Sequence, residues 1–189
     1  MHRSRILITS SIGLILALAF TGCVDKKQTA ELEAMKAKEV AAEAMKTAEQ
    51  ANIATFDDLD FNVFSNQKWD ELKKSHADNI VVHWPDGHST TGLPQHIEDL
   101  KAMFVYAPDT HIKEHPIKIA SGDYTAVTGV FEGTFTQPMP IGNGKTIKPT
   151  GKAFKLPMCT VGHWKGGVMD EEYLFWDNQA FMKQIGLAQ

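Results

Sequence analysis

Cysteine is nearly absent from this chain: two in 189 residues, at positions 23 and 159. Should Cys23 be consumed by modification, the remaining thiol has no internal partner even in an oxidising compartment, which excludes a disulfide framework. Basic runs are missing as well. Lysines come singly or in short pairs, and 19 Lys and Arg face 23 Asp and Glu for a formal charge of -4. That balance argues against a nucleic-acid partner. The single long apolar run, residues 6–20, is shorter than the roughly 18 to 20 residues that span a bilayer, although a plain membrane anchor stays open as the alternative. There is no internal repeat, and no low-complexity tract after residue 53.

The chain opens on Met-His-Arg-Ser-Arg, passes through Ile6 to Phe20 and reaches Thr21-Gly22-Cys23. A basic n-region, an apolar h-region and a small-residue cleavage site make an export signal. The cysteine directly after Thr21-Gly22 resembles a lipobox, with Phe20 where leucine is usual. Residues 1–22 are therefore expected to be a lipoprotein signal peptide and Cys23 the lipidation site, carrying palmitate-type chains. Each buried methylene contributes on the order of 0.8 kcal/mol, so two or three chains would anchor the protein firmly to a membrane. Removing residues 1–22 takes away Arg3 and Arg5 and no acids, moving the charge from -4 to -6. Val24, in place of aspartate, favours the outer membrane facing the periplasm where a cell has one. Localisation is thus expected to be the cell envelope. Cys159, in Pro-Met-Cys-Thr-Val, reads as a strand residue with no obvious activating partner.

Residues 23–53 are expected to form the lipidated cysteine and a helical stalk. After Cys23 they are rich in Ala, Glu, Lys and Met and contain neither Gly nor Pro, with a weak apolar stripe through Leu32, Met35 and Val40. A semi-rigid stalk and a short coiled coil or partner helix are both compatible with this pattern. From residue 54 the composition turns globular, and residues 54–189 suffice for one domain with its own core.

Within that domain, Asp57 to Asn66 and Gln67 to Ser75 predict helical pieces. Ile80 to Trp84 predicts a strand closed by Pro85-Asp86-Gly87, and Gly92 to Phe104 a helix. Strands are expected over Thr110 to Ala120, Tyr124 to Phe135, Thr146 to Trp164 and Val168 to Trp176, with Gly166-Gly167 as the last turn. Asn178 to Ile185 predicts a closing helix with Asp177 at its N-cap. Helices first and a long meander afterwards give an α+β domain whose curved sheet wraps the helices.

An ordered set of landmarks runs through this domain: Ala77-Asp78-Asn79 before Val81-Val82-His83, Thr91-Gly92, Ala107-Pro108-Asp109, Gly122-Asp123, Gly133-Thr134-Phe135, Pro149-Thr150-Gly151-Lys152, Trp176-Asp177 and Gln184-Ile185-Gly186-Leu187. Over residues 57–187 the chain resembles the SnoaL-like polyketide cyclase family, within the nuclear-transport-factor-2-like fold. The resemblance implies a cone-shaped curved antiparallel sheet. It also implies a catalytic pair, a carboxylate at the end of the last strand with a histidine on the preceding one, which here are Asp177 and His163. Aromatics at Trp84, Tyr106, Phe131, Phe154, Tyr173 and Trp176 would line the pocket.

The function expected on this basis is binding of a small hydrophobic carbonyl compound and acid/base turnover of it, of isomerase, cyclase or hydrolase type, with no cofactor. The alternative is a non-enzymatic binding or interaction module on the same fold, as a homodimer through the exposed sheet face. Asp177 is equally explained as a helix cap, and His163 as an ordinary strand histidine. No metal site is expected. On one strand His111 and His115 lie about 13 Å apart, too far for one ion, and adding His83, His88 and His96 gives no compact ligand set. The run Asp170-Glu171-Glu172 reads as a solvated strand edge.

Overall fold

The computed structural model describes residues 26–189. The signal peptide expected over residues 1–22 and the lipidation expected at Cys23 lie outside the described residues. Packing divides the chain into residues 1–39 and 40–189. In the first unit the described residues 26–39 are helical with every side chain exposed. The second unit holds the remaining elements, so the boundary expected at residue 54 falls inside a continuous helix, α1 (Lys26–Asp58). No described helix is long and apolar enough to cross a membrane.

Strong helix formers build α1, and its stripe residues Leu32, Met35 and Val40 stay in solvent. Only near its end does it bury side chains, Asn52 and Phe56. There the helix unwinds slightly into a wider π-helical turn, Leu59–Phe64, marked by the Ser65 amide donating to the Asp60 carbonyl at 3.2 Å. A 3-10 turn, Trp69–Lys74, follows.

The strands are β1 (His76–His83), β2 (Ser89–Thr91), β3 (His111–Ile112), β4 (Lys118–Ser121), β5 (Tyr124–Thr134), β6 (Met139–Pro140), β7 (Thr146–Ile147), β8 (Ala153–Lys165) and β9 (Val168–Trp176). Helix α2 (Leu93–Tyr106) crosses between β2 and β3, and α3 (Asn178–Gln184) follows β9. The main sheet runs β2-β1-β9-β8-β5-β3, with β4 also on β5, while β6 and β7 form a separate ribbon. All its pairings are antiparallel except β1 with β9. The expected α+β class is therefore observed: an antiparallel-dominated sheet with helices before it.

Two expected strands are broken, each for a backbone reason. Between β3 and β4 the ladder stops across Pro116, which has no amide to give. Between β7 and β8 it stops across Pro149 and Gly151, the latter at φ 71°. In β8 and β9 the side chains alternate. Phe154, Leu156, Thr160 and Trp164 point into the core from β8, and Glu172 and Leu174 from β9, while His163 and Glu171 sit on the opposite face. The main core joins Phe56, Leu59, Phe64, Leu72, Ile80, Val82, Leu100 and Trp164. A smaller one, around Ala107, Phe135, Phe154 and Ile185, lies under α3.

Candidate functional site

A cleft in the main core is lined by Leu59, Phe64, Leu100, Met103, Ile112, Phe131, Met158, Leu174 and Trp176, with a polar set of Asp60, His76, His96, Thr160 and Glu172. Its cavity volume is about 40 Å³. An apolar wall with a few convergent polar groups is the usual make-up of a small-molecule site.

Asp60 reaches this cleft because the π-helical turn carries it inward. Its Oδ2 bonds His115 Nε2 at 2.8 Å, and His115 Nδ1 bonds Asp57 Oδ1 at 2.8 Å. Lys118 Nζ donates to Asp57 Oδ2 at 2.7 Å, so a hydrogen-bonded chain runs from a partly exposed lysine to a largely enclosed carboxyl. His115 is enclosed by Phe56 and Phe61, with ring centroids at 5.7 and 4.5 Å. Burial raises the Asp60 carboxyl above the usual carboxylate range, outweighing the hydrogen bond from His115. Burial works to lower His115, but its two carboxylate partners prevail and raise it. Asp57 is lowered: its own burial is overcome by Lys118 and His115.

The second polar group comes from three elements: His76 at the start of β1, His96 in α2 and Glu172 in the middle of β9. All are buried, at 3 %, 2 % and 5 % exposure. Glu172 Oε2 lies 3.8 Å from His76 Nε2 and 3.4 Å from His96 Nε2. His76 Nε2, His96 Nδ1 and Glu172 Oε2 make no hydrogen bond. A buried polar atom left so costs about 1–3 kcal/mol. Burial pushes His96 down to about 4, with Glu172 opposing and His76 reinforcing the shift. Burial acts to raise Glu172, and the two imidazoles outweigh it and lower it.

The residues expected from the sequence lie mostly elsewhere. Asp177 is exposed and caps α3, its Oδ1 accepting from the amides of Gln179 at 2.8 Å and Ala180 at 2.9 Å. His163 is on the outer face of β8, bonded through Nδ1 to Asp170 Oδ1 at 2.6 Å and packed on Tyr124. His163 pairs with Glu171, whereas Met158 pairs with Trp176, next to Asp177. Five residues of strand, roughly 17 Å, thus separate the two levels, and the pair does not share a cavity. Asp177→Ala is expected to cost about 1 kcal/mol in urea unfolding, as for other N-caps, and to leave ligand binding unchanged.

Of the six expected pocket aromatics, Phe131 and Trp176 line the cleft. Trp84 stands behind it, 6.1 Å from His96 and 6.3 Å from Trp176 between ring centroids. Tyr106 and Phe154 belong to the smaller core, where burial pushes Tyr106 up to about 12. Tyr173 stacks on His83 on the outer face at 4.3 Å.

Three corrections concern charged residues. Glu172 is not on a solvated edge, because β9 is a central strand between β1 and β8 and alternation turns this side chain inward. His115 is not on a strand but in the gap after β3. His96, counted in no compact ligand set, has Glu172 and the unforeseen His76 beside it. A clue to His96 was available: it lies on the buried face of α2 with Leu93, Leu100 and Phe104.

A cleft roofed by helices over a curved, mostly antiparallel sheet defines the cone-shaped α+β class. The family model for SnoaL-like polyketide cyclases matches residues 61–185, and the chain belongs to that family. A candidate SnoaL-like polyketide cyclase from Jannaschia sp. CCS1 superposes with a TM-score of 0.65 at 19 % identity, over 75 % of this chain and 95 % of that one. IdmH, a candidate polyketide cyclase from Streptomyces antibioticus, gives 0.60 at 20 % identity, covering 71 % and 98 %. A hypothetical protein with a ketosteroid isomerase-like fold from Catenulispora acidiphila, in complex with trimethylamine, gives 0.57 at 14 % identity, covering 72 % and 92 %. At these identities the likeness is one of fold. No curated protein matches the chain.

Proposed function

We propose that the cleft takes up a small hydrophobic carbonyl compound and moves a proton on it, with Asp60 as the acid/base group. The observation that carries this reading is Asp60 itself: a largely enclosed carboxyl raised by its surroundings, in an apolar cavity, connected by His115 and Asp57 to the surface. A carboxyl raised by burial is a stronger base than a free one, which abstraction of a proton beside a carbonyl requires. In the step, the α C–H bond breaks, its proton passes to Asp60, and the electron pair moves to the carbonyl oxygen. His96 Nδ1, on the cleft lining and without a hydrogen-bond partner, supplies the group that meets that oxygen. Return of the proton to another carbon is an isomerisation; attack of the enolate carbon on a second carbonyl closes a ring.

Hydrogen–deuterium exchange tests the reading. In deuterated buffer with chelator, the full chain is expected to exchange the α-protons of some member of a panel of aryl and cyclic ketones. Asp60→Asn should slow that exchange by at least about 100-fold, the lower range for general acid–base catalysis, and Asp177→Asn should not. Exchange unaltered in Asp60→Asn would refute the assignment.

The same proposal places the domain at a membrane through lipid on Cys23, in the cell envelope. Loss of palmitate labelling and of detergent-phase partitioning in Cys23→Ser is the expected result. A second reading, a non-enzymatic interaction module, is favoured by exposed apolar residues of the sheet, Ile119, Tyr124 and Phe175, at 58, 51 and 53 % exposure. It expects a homodimer through the outer face, which sedimentation of Phe175→Glu against the parent chain would test.

A further inference from the structure

We infer that His76, His96 and Glu172 form a binding site for a divalent transition-metal ion of the zinc and ferrous class, on the inner wall of the cleft that Asp60 also lines. This goes beyond the proton-transfer reading and does not depend on it.

The first observation is the tautomer of His76. Its Nδ1 lies 2.9 Å from Ser75 Oγ and 3.3 Å from the Leu72 carbonyl. The Ser75 hydroxyl donates to that same carbonyl at 3.0 Å, so both neighbours of Nδ1 accept, and Nδ1 carries the hydrogen. The lone pair of Nε2 is then left facing Glu172 Oε2 at 3.8 Å. A bare lone pair against a buried carboxylate oxygen is two acceptors in contact with nothing between them. A cation between them resolves the conflict.

The second observation is the donor set. One ligand atom from each residue can be chosen so that all three lie within 4.8 Å of one another. A tetrahedral ion with bonds of about 2.1 Å sets its ligands about 3.4 Å apart. The separations of 3.4 and 3.8 Å from Glu172 to the two imidazoles match that span to a few tenths of an ångström. Two histidines and one carboxylate are a ligand set that zinc and non-haem iron share. Three different elements hold the three side chains, and Ser75 with Leu72 fixes the ring of His76 in the way outer-shell partners orient metal-bound histidines. The remaining coordination position would face the cleft, where about 40 Å³ admits the centres of water-sized molecules. A water or a carbonyl oxygen could occupy it, and the ion would then polarise that oxygen opposite Asp60.

The test uses the full chain, stripped with chelator and titrated with Co²⁺ as an optical probe, then with Zn²⁺ in competition. One Co²⁺ per chain with intense tetrahedral absorption is expected, displaced by Zn²⁺. Glu172→Gln and His96→Ala should each weaken binding by more than about 100-fold, beyond the 10- to 100-fold that outer-shell losses cost. His83→Ala and His163→Ala should bind like the parent. A measurement on the unmutated chain guards against variants that fail to fold: Zn²⁺ should shift the imidazole ¹⁵N resonances of His76 and His96 and no others. No stoichiometric Co²⁺ signal, binding that survives Glu172→Gln, or shifts confined to other histidines would overturn the assignment. Ketone exchange is measured with chelator present, so either reading can fail while the other stands.

Discussion

Phe56→Ala is expected to lower the free energy of unfolding by about 3–5 kcal/mol, the range for truncating a fully enclosed aromatic. Phe56 is 1 % exposed and is the apolar side chain that α1 buries fully, just after Ile53 packs against the core. It meets His115 edge-on at 5.7 Å and Trp164 at 6.4 Å, so its ring connects the end of α1 to both the Asp57–His115–Asp60 chain and β8. The Trp164 indole donates to Thr125 Oγ1 at 2.8 Å and is held in place from β5, so the vacated volume has little to collapse into it. Urea denaturation of the variant measures the loss. Met35→Ala on the same helix is the comparison: Met35 is 68 % exposed, and a change within about 0.5 kcal/mol is expected there. A small effect at Phe56 would mean that the end of α1 is not part of the cooperative unit.

Acidification of the metal-free chain is expected to remove about 3 kcal/mol of stability through His96 alone. Its folded value, about 4, lies below the ordinary 6.5. A group depressed on folding stabilises the fold fully above its unfolded value and loses that contribution as the pH falls toward the folded one. The window is therefore pH 6.5 down to 4, and 2.5 units at 1.36 kcal/mol each give the magnitude. Asp60 acts in the opposite sense. Its folded value is raised, so protonation on acidification favours the fold and offsets part of the loss. The His96 share is isolated by comparing the parent with His96→Gln, both in chelator, by urea unfolding across that window. The parent should lose markedly more. Parallel pH profiles would show that His96 does not remain neutral in the fold.

Much of the fold was legible because long elements announce themselves through period. β5, β8 and β9 alternate over nine or more residues, and α2 repeats Leu93, His96, Leu100 and Phe104 on one face. The breaks were less legible, since Pro116, Pro149 and Gly151 interrupt segments whose composition still favours strand. Asp177 and His163 do not share a cavity in the fold, for a physical reason. Asp177 and His163 have suggestive residue types, but a side chain's role follows from the face it is on, and strand alternation across the bulge at His163 and Trp164 puts His163 outside and Glu172 inside. His76 gave no local signal, because its relation to His96 and Glu172 exists only after β1 and β9 pair in parallel.

The under-wound turn at Leu59–Phe64 bears on how such a protein tolerates the loss of a residue. Successive residues of an α-helix are rotated by about 100° from one another, and a π-helical turn accommodates a residue that a regular helix would not. Loss of the residue just before Asp60 would let this turn become regular α-helix and rotate that carboxyl away from the cleft, so the wide turn and the facing of Asp60 stand or fall together.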